Sequence, residues 1–245
     1  MEEILRHLHP GERVLDLGSQ NGSFSASACA VGVLIVRTDL DRPASPASDG
    51  TAFVQADAAQ LPFRTGAFDA VISNHSLEHM VELDAVLGEL GRVMNSTAAL
   101  YVAVPDASTW SDRIYRFIGK GGGHVNAFYS ADALSSRITA STGLPLRATR
   151  LLHTGWSFLR KRSSRSPRRL WLFGGGYPPL VRAINRFTRE LDKNFGFRAS
   201  IYGWALWFGS PGEGIDTSPR PFVCSNCGAG LRVKSVTCPY CNDPL

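Results

Sequence analysis

The string VLDLGSQNGSF places an acid, Asp16, at the tip of an apolar run and follows it with Gly18, Ser19 and Gly22. A turn here must pass close to a ligand, and only glycine lets the backbone approach without a Cβ in the way. A second acid, Asp39, closes the next apolar run 23 residues later, and a third, Asp57, follows another in QADAAQLPF. A dinucleotide would call for G-x-G-x-x-G with its pyrophosphate on a helix N-terminus, where Asp16 would add repulsion. S-adenosylmethionine has no phosphate and carries a sulfonium and an ammonium, so the acid favours that ligand. Asp39 then suits the ribose hydroxyls, with Asp41 able to substitute for it. Asp57 can meet an adenine amino group while the Ala58 backbone reads the ring edge. Singly, each residue also has a plainer use: a strand-to-helix turn, a turn residue, a helix N-cap.

Four of the five cysteines form two Cys-x-x-Cys pairs near the C-terminus, Cys224 with Cys227 and Cys238 with Cys241, ten residues apart. Gly228 and Asn242 follow the pairs, and both tolerate the left-handed turn of a metal knuckle. Leu231, Val233 and Ser235 alternate with Arg232 and Lys234 as a short hairpin strand. Two knuckles and a hairpin make a zinc ribbon with four thiolates, a closed structural site whose metal supplies the folding energy of a small unit.

These groups need elements to hold them. Arg13 to Leu17, a glycine turn, a helix-compatible stretch from Ser23 to Ala30 and a buried run Val31 to Thr38 read as strand, turn, helix, strand. Further strands are expected at Ala52 to Gln55, Phe68 to Ser73 and Ala98 to Val104. Between the last two, Leu83, Val86, Leu87, Leu90, Val93 and Met94 recur at helical spacing. Helices are expected at Ser111 to Ile118 and at Ala131 to Thr142, the latter capped by Ser130 and closed near Gly143. Aromatic-rich strands, Arg147 to Phe158 and Ser200 to Phe208, complete a doubly wound seven-stranded α/β sheet. Ser210 to Pro221 reads as a linker, rich in Ser, Gly and Pro. The expected division is therefore 1–209, with a basic insertion at about 159–198, then 210–221 and a ribbon at 222–245.

With these strings in order, the chain resembles the class I S-adenosylmethionine-dependent methyltransferases, in particular the type 11 group with its ubiquinone, sterol and natural-product enzymes. The resemblance rests on VLDLGSQNG, RTDLD, ADAAQLPFRTGAFDAVISNHSLEHM and LGELGRVMNSTAALYVAVPD and covers roughly residues 10 to 210. It implies a Rossmann-like sheet and a cofactor cradle of Asp16, Gly18, Ser19 and Gly22. It also implies that Asp39 holds the ribose, that Asp57 and Ala58 hold adenine, and that Ser73 and Asn74 line the methyl end. Gln20 stands where the family commonly has glycine, and Asn95-Ser96 replaces a Pro-Gly turn.

Methyl transfer from a sulfonium is an in-line displacement that alignment accelerates, with one base to take the acceptor's proton. His75, His79 and His124 are candidates. In the resembled family a histidine like His124 in GHVNAFYS precedes the helix that roofs the acceptor pocket, so His124 is the first choice, beside His79. His75, Glu78 and His79 would share a helix face and are similar to the Glu-x-x-Glu-His metal site of ubiquinone-type enzymes. The Asn-Pro-Pro-Tyr type signature of amino-methyltransferases is absent, which points to oxygen or carbon.

The net charge of +5 is local in origin: Arg147 to Arg198 holds 13 Lys and Arg against Glu190 and Asp192. Within it, Leu180, Ile184, Phe187 and Leu191 repeat at helical spacing, and Arg182, Arg186, Arg189 and Lys193 follow two residues later, about 200° around a helix. Such a helix can pack its apolar face on the sheet. It can also lie on an anionic membrane and serve a lipid-linked acceptor, or bind RNA with the ribbon as a second contact. The expected substrate is a small-molecule or lipid-linked acceptor, with an RNA methyltransferase and a non-catalytic binding protein as alternatives.

Composition excludes other classes. Hydrophobic residues at 44% and charged residues at 19% fit a globular chain, neither disordered nor fibrous. No apolar run nears the roughly 20 residues of a membrane span, and MEEILRHLHP lacks a leader's basic and apolar regions. A cytoplasmic protein, peripherally attached to membrane at most, is expected.

Overall fold

The computed structural model describes residues 8–19, 32–42, 51–118, 123–156, 177–210, 214–226, 229–239 and 241–245. The helix expected at Ser23 to Ala30, with Gln20 and Gly22, the stretch Arg160 to Arg169 and Cys227 lie outside the described residues.

Seven strands make one sheet: β1 (Arg13–Leu17), β2 (Leu34–Asp39), β3 (Ala52–Gln55), β4 (Phe68–Asn74), β5 (Met94–Pro105), β6 (Leu146–His153) and β7 (Ile201–Gly209), in the order β3-β2-β1-β4-β5-β7-β6. The described helices are α1 (Leu83–Val93), α2 (Trp110–Ile118), α3 (Ala131–Thr142) and α4 (Pro178–Phe195). A 3-10 turn covers Leu77–His79, and two short strands, β8 (Phe222–Val223) and β9 (Gly230–Leu231), pair antiparallel. From β3 to β5 neighbouring strands run parallel. β7 runs against β5, since Ser210 N–H donates to the Ala98 carbonyl and Asp106 N–H to that of Tyr202. The sheet is thus mixed.

The chain divides into two compact units. The first holds Met1–Val104, Ser130–Thr149 and Ala205–Thr217. Its core is built on β1, β4 and β5, where Val14, Leu15, Val71, Ile72, Leu100 and Val102 are fully buried. Strands covered on both faces read as continuous apolar runs rather than alternating ones. Helix α1 buries Leu83, Val86, Leu87, Leu90 and Val93, as its spacing predicts. Met94 does not belong to that stripe: it turns extended and starts β5 four residues ahead of the expected Ala98. Pairing jumps from Phe68↔Met94 to Ala70↔Ala99, and Asn95 occupies the irregularity. Its amide donates to Asp69 Oδ1 at 2.7 Å and its oxygen accepts from Thr97 N at 2.9 Å, so the departure from Pro-Gly is satisfied locally. Helix α3 has the expected ends: Ser130 Oγ accepts from Ala133 N, and Gly143 is left-handed.

The second unit holds Pro105–Tyr129, Arg150–Trp204 and Ser218–Leu245. Trp156 and Val181 form its apolar cluster, joined by Ile114 and Ile184. Helix α4 begins on Pro178 and closes on left-handed Gly196, the preferred residues for each end. It buries Val181, Asn185 and Thr188. The apolar stripe through Leu180 and Phe187 therefore does not become the packed face. The strand expected from Leu231 to Ser235 stops at Leu231, and Val233 and Val236 stand exposed.

Candidate functional site

In the order β3-β2-β1-β4-β5 the direction of winding reverses between β1 and β4, and open α/β sheets bind ligands beyond the strand ends at that reversal. A cleft of about 470 Å³ lies in the first unit at this place, lined by Gly18, Asp39, Asp57, Ala58, His75 and Ser76 among others. Four of the residues singled out for the cofactor, Gly18, Asp39, Asp57 and Ala58, thus meet on one cavity wall. Ser73 is buried away from it, exchanging a hydrogen bond with Ser76 Oγ at 2.6 Å, and Asn74 pairs in register with Ala103.

The loop after β1 enters through Gly18 at φ 69° and is tied back by Ser19 N–H to the Thr38 carbonyl at 2.9 Å. Just before it, Asp16 is 2% exposed, and its Oδ2 has no hydrogen-bond partner among the described residues. Burial pushes its carboxyl up to about 7, against the pull of Arg37 and with a further push from Asp39. A buried carboxylate oxygen without a donor suits a cationic group, and the ammonium of S-adenosylmethionine is one. The donor set therefore fits this cofactor: a cation partner at Asp16, a Cβ-free approach at Gly18, and carboxylates at the next two strand ends. Asp57 Oδ1 accepts from Ala59 N at 2.9 Å in a local turn that fixes the loop, and Asp39 Oδ1 accepts from Asp41 N at 3.2 Å.

Two residues that sequence reasoning missed hold the Asp57 loop. The Arg92 guanidinium donates to the carbonyls of Phe63 at 2.7 Å and Leu61 at 2.9 Å, while Glu89 Oε2 accepts from Leu61 N at 2.7 Å. The pair is bidentate, and the Arg92 hydrogen bond holds the Glu89 carboxyl below its usual range. Their i, i+3 spacing on α1 was visible in LGELGRV, but nothing local shows that both reach back some thirty residues. Ser76 was missed too, and no sequence signal marks it.

His79 and His75 line the cleft. His75 stands outside the 3-10 turn at φ 56°, with its Nδ1 3.8 Å from Glu78 Oε1. Since His75 lies outside the turn, the expected helix face of His75, Glu78 and His79 does not form, yet Glu78 and His79 still present ligand atoms within 4.8 Å of one another. The turn is too short to put i and i+4 on one side. His124, in the second unit, has Nδ1 3.4 Å from Asp112 Oδ1, and Asp112 Oδ2 accepts from Arg116 Nε. Asp112 is fully buried; burial pushes its carboxyl up, but the hydrogen bonds of His124 and Arg116 outweigh this and hold it low.

In the same unit Cys224, Cys238 and Cys241 present sulfurs within 4.8 Å of one another. Asn242 has the left-handed φ of 57° expected after the second pair. Arg189 donates to the Val223 carbonyl at 3.2 Å and lies 5.3 Å from the Phe222 ring centre, and burial draws its guanidinium down to about 10. Arg186 donates to the Leu245 carbonyl at 3.1 Å. Helix α4 thus grips the cysteine-bearing segment.

Residues 15–102 match the family model of a methyltransferase domain. The demethylmenaquinone methyltransferase of Beutenbergia cavernae is 35% identical over 116 residues, 44% of this chain and 48% of that one. That of Mycolicibacterium gilvum is 28% identical over 166 residues, 64% and 73% of the two chains. This chain thus spans about half the length of the first of these relatives. A S-adenosylmethionine-dependent methyltransferase from Archaeoglobus fulgidus superposes with a TM-score of 0.57 at 16% identity, covering 85% of this chain and 90% of that one. The fold is the Rossmann-like methyltransferase fold.

Proposed function

We propose that the protein is an S-adenosylmethionine-dependent methyltransferase acting on a small-molecule or lipid-linked acceptor at carbon or oxygen. The observation that carries this reading is the cleft itself, where Gly18, Asp39, Asp57 and Ala58 converge, with the buried Asp16 carboxyl, whose Oδ2 has no donor among the described residues, just before Gly18. When bound, the cofactor supplies a methyl group activated by its sulfonium. Asp16 would hold the ammonium, Gly18 and Ser19 the carboxylate end with Gly22, Asp39 the ribose hydroxyls, and Asp57 with Ala58 the adenine. Ser73 and Asn74 would stand at the methyl end, Ser73 through its hydrogen bond to Ser76 on the cleft wall. The relatives named for demethylmenaquinone point to a quinone carried on a lipid tail as the acceptor class.

His124 is our choice for the proton acceptor, oriented by Asp112, with His79 on the cleft as the second candidate. An Asp that fixes one imidazole nitrogen leaves the other to receive a proton. Cys224, Cys227, Cys238 and Cys241 would hold a structural Zn2+, which four thiolates close to further ligands. Calorimetric titration of the purified protein with S-adenosylmethionine tests the reading. Saturable binding that Asp39→Ala removes is expected, and no binding at all would move the weight to a non-catalytic binding protein.

A further inference from the structure

Helix α4 has three faces. Val181, Asn185 and Thr188 are buried. A second face carries Arg182, Arg186, Arg189 and Lys193. The third carries Leu180, Ala183, Phe187 and Leu191 at spacings of three and four, and here Leu180 is 42% and Phe187 64% exposed. At its end Phe195 and Phe197 are also exposed, with ring centres 5.9 Å apart. Helix α2, which meets α4 through Ile114, Val181 and Ile184, adds exposed Trp110 and Phe117. Single apolar residues on a surface are ordinary, but a row of them along one helix marks a contact surface.

Charge identifies the occupant. Asp192 is turned inward, accepting from Ala199 N, Ser200 N and Ser200 Oγ. Arg182, Arg186 and Lys193 then face Glu190 alone on α4, and exposed Arg113 lies between Trp110 and Phe117 on α2. A second copy would bring like charges together. RNA would gain from the cations but not from Leu180, Ala183 and Leu191, which offer it neither hydrogen bonds nor stacking. Acyl chains take up that stripe, and lipid phosphates take up the cations beside it. With 18 residues α4 is about 27 Å long, enough to lie along a bilayer surface. No described helix is long and apolar enough to cross one.

We propose that the Leu180–Phe187 face of α4, with Trp110 and Phe117 of α2, docks on an anionic lipid surface. The docking rests on the methyltransferase reading only for its purpose, delivery of the site to a lipid-linked acceptor, and it needs no cofactor.

The test is co-sedimentation of the full chain with phosphatidylcholine vesicles, with and without phosphatidylglycerol. Sedimentation with the anionic vesicles alone is expected. Leu180→Ser with Phe187→Ser should weaken it about tenfold or more. Arg182→Gln with Lys193→Gln should abolish the preference for phosphatidylglycerol while leaving the apolar stripe whole. All four positions lie off the buried face, so the thermal midpoint should hold. No sedimentation, or sedimentation that both double variants leave unchanged, overturns the proposal. So does a dimer in velocity sedimentation, or RNA binding, that the serine variant dissolves. Cofactor titration of the same variants separates this failure from failure of the catalytic reading.

Discussion

Gly18 and Ser76 come so close that a Cβ built on Gly18 would lie 2.5 Å from the Ser76 Cβ. Gly18 also has a left-handed φ of 69°. Gly18→Ala therefore meets two obstacles, backbone strain of about 1–3 kcal/mol and a clash with a side chain that is itself held by Ser73. Cofactor affinity should fall at least tenfold. Ser76→Gly added to Gly18→Ala should restore only the part due to the clash, and calorimetry on the wild type and the two variants separates the two.

Cofactor binding should depend on pH through Asp16. Its folded carboxyl titrates at about 7, above the ordinary 3.8, so the free protein carries it protonated below 7. Ionised Asp16 disfavours the folded state, and stability without ligand should decline as pH rises through 7. A bound ammonium reverses the preference, so binding below 7 must expel a proton. Affinity should fall about tenfold per pH unit below 7. Asp16→Asn should flatten this profile, and a proton count from titrations in buffers of different ionisation heat checks it.

Arg92→Ala should release the loop that carries Asp57, at a cost of about 2 kcal/mol in hydrogen bonds to the guanidinium. Since the loop lines the cleft while Arg92 does not, affinity for S-adenosylmethionine should fall although no cofactor contact is removed. Urea midpoints and calorimetry on the same sample distinguish this from an unperturbed loop.

Asp112→Asn should destabilise the second unit by about 3 kcal/mol, because the buried carboxylate serves both Arg116 and His124. Its carboxyl is held below 3.8, so its contribution is present above that pH and is lost as pH falls further. The variant's urea midpoint should accordingly show less dependence on acid than that of the wild type.

Metal analysis should give one Zn2+ per chain, removed by Cys224→Ser with Cys238→Ser. Arg189 bonds to Val223, next to Cys224, so the loss should also loosen α4, seen as faster amide exchange around Thr188. A metal-free chain with α4 protection unchanged would refute the ribbon.

The parts of the fold legible in the sequence were those governed by local rules. The α1 stripe, the Ser130 cap and Gly143 follow from helix periodicity and end chemistry, and the acids at the ends of β1 and β2 follow from strand boundaries. What was not legible depends on long-range packing. Phe187 fits an amphipathic helix, yet Val181, Asn185 and Thr188 are buried instead, because Asn185 donates to the Gly155 carbonyl and Val181 packs on Trp156. Met94 continues a helical spacing but is taken by β5, and the helix expected to carry His75, Glu78 and His79 is a turn of three residues that leaves His75 out.

The measurement that bears most directly on the central claim is calorimetric titration of wild type and Asp39→Ala with S-adenosylmethionine. Micromolar, one-to-one binding by the wild type and a loss of about 30-fold or more in the variant, with the fold retained by circular dichroism, are expected. Equal affinity in both proteins, or none in the wild type, would contradict that claim.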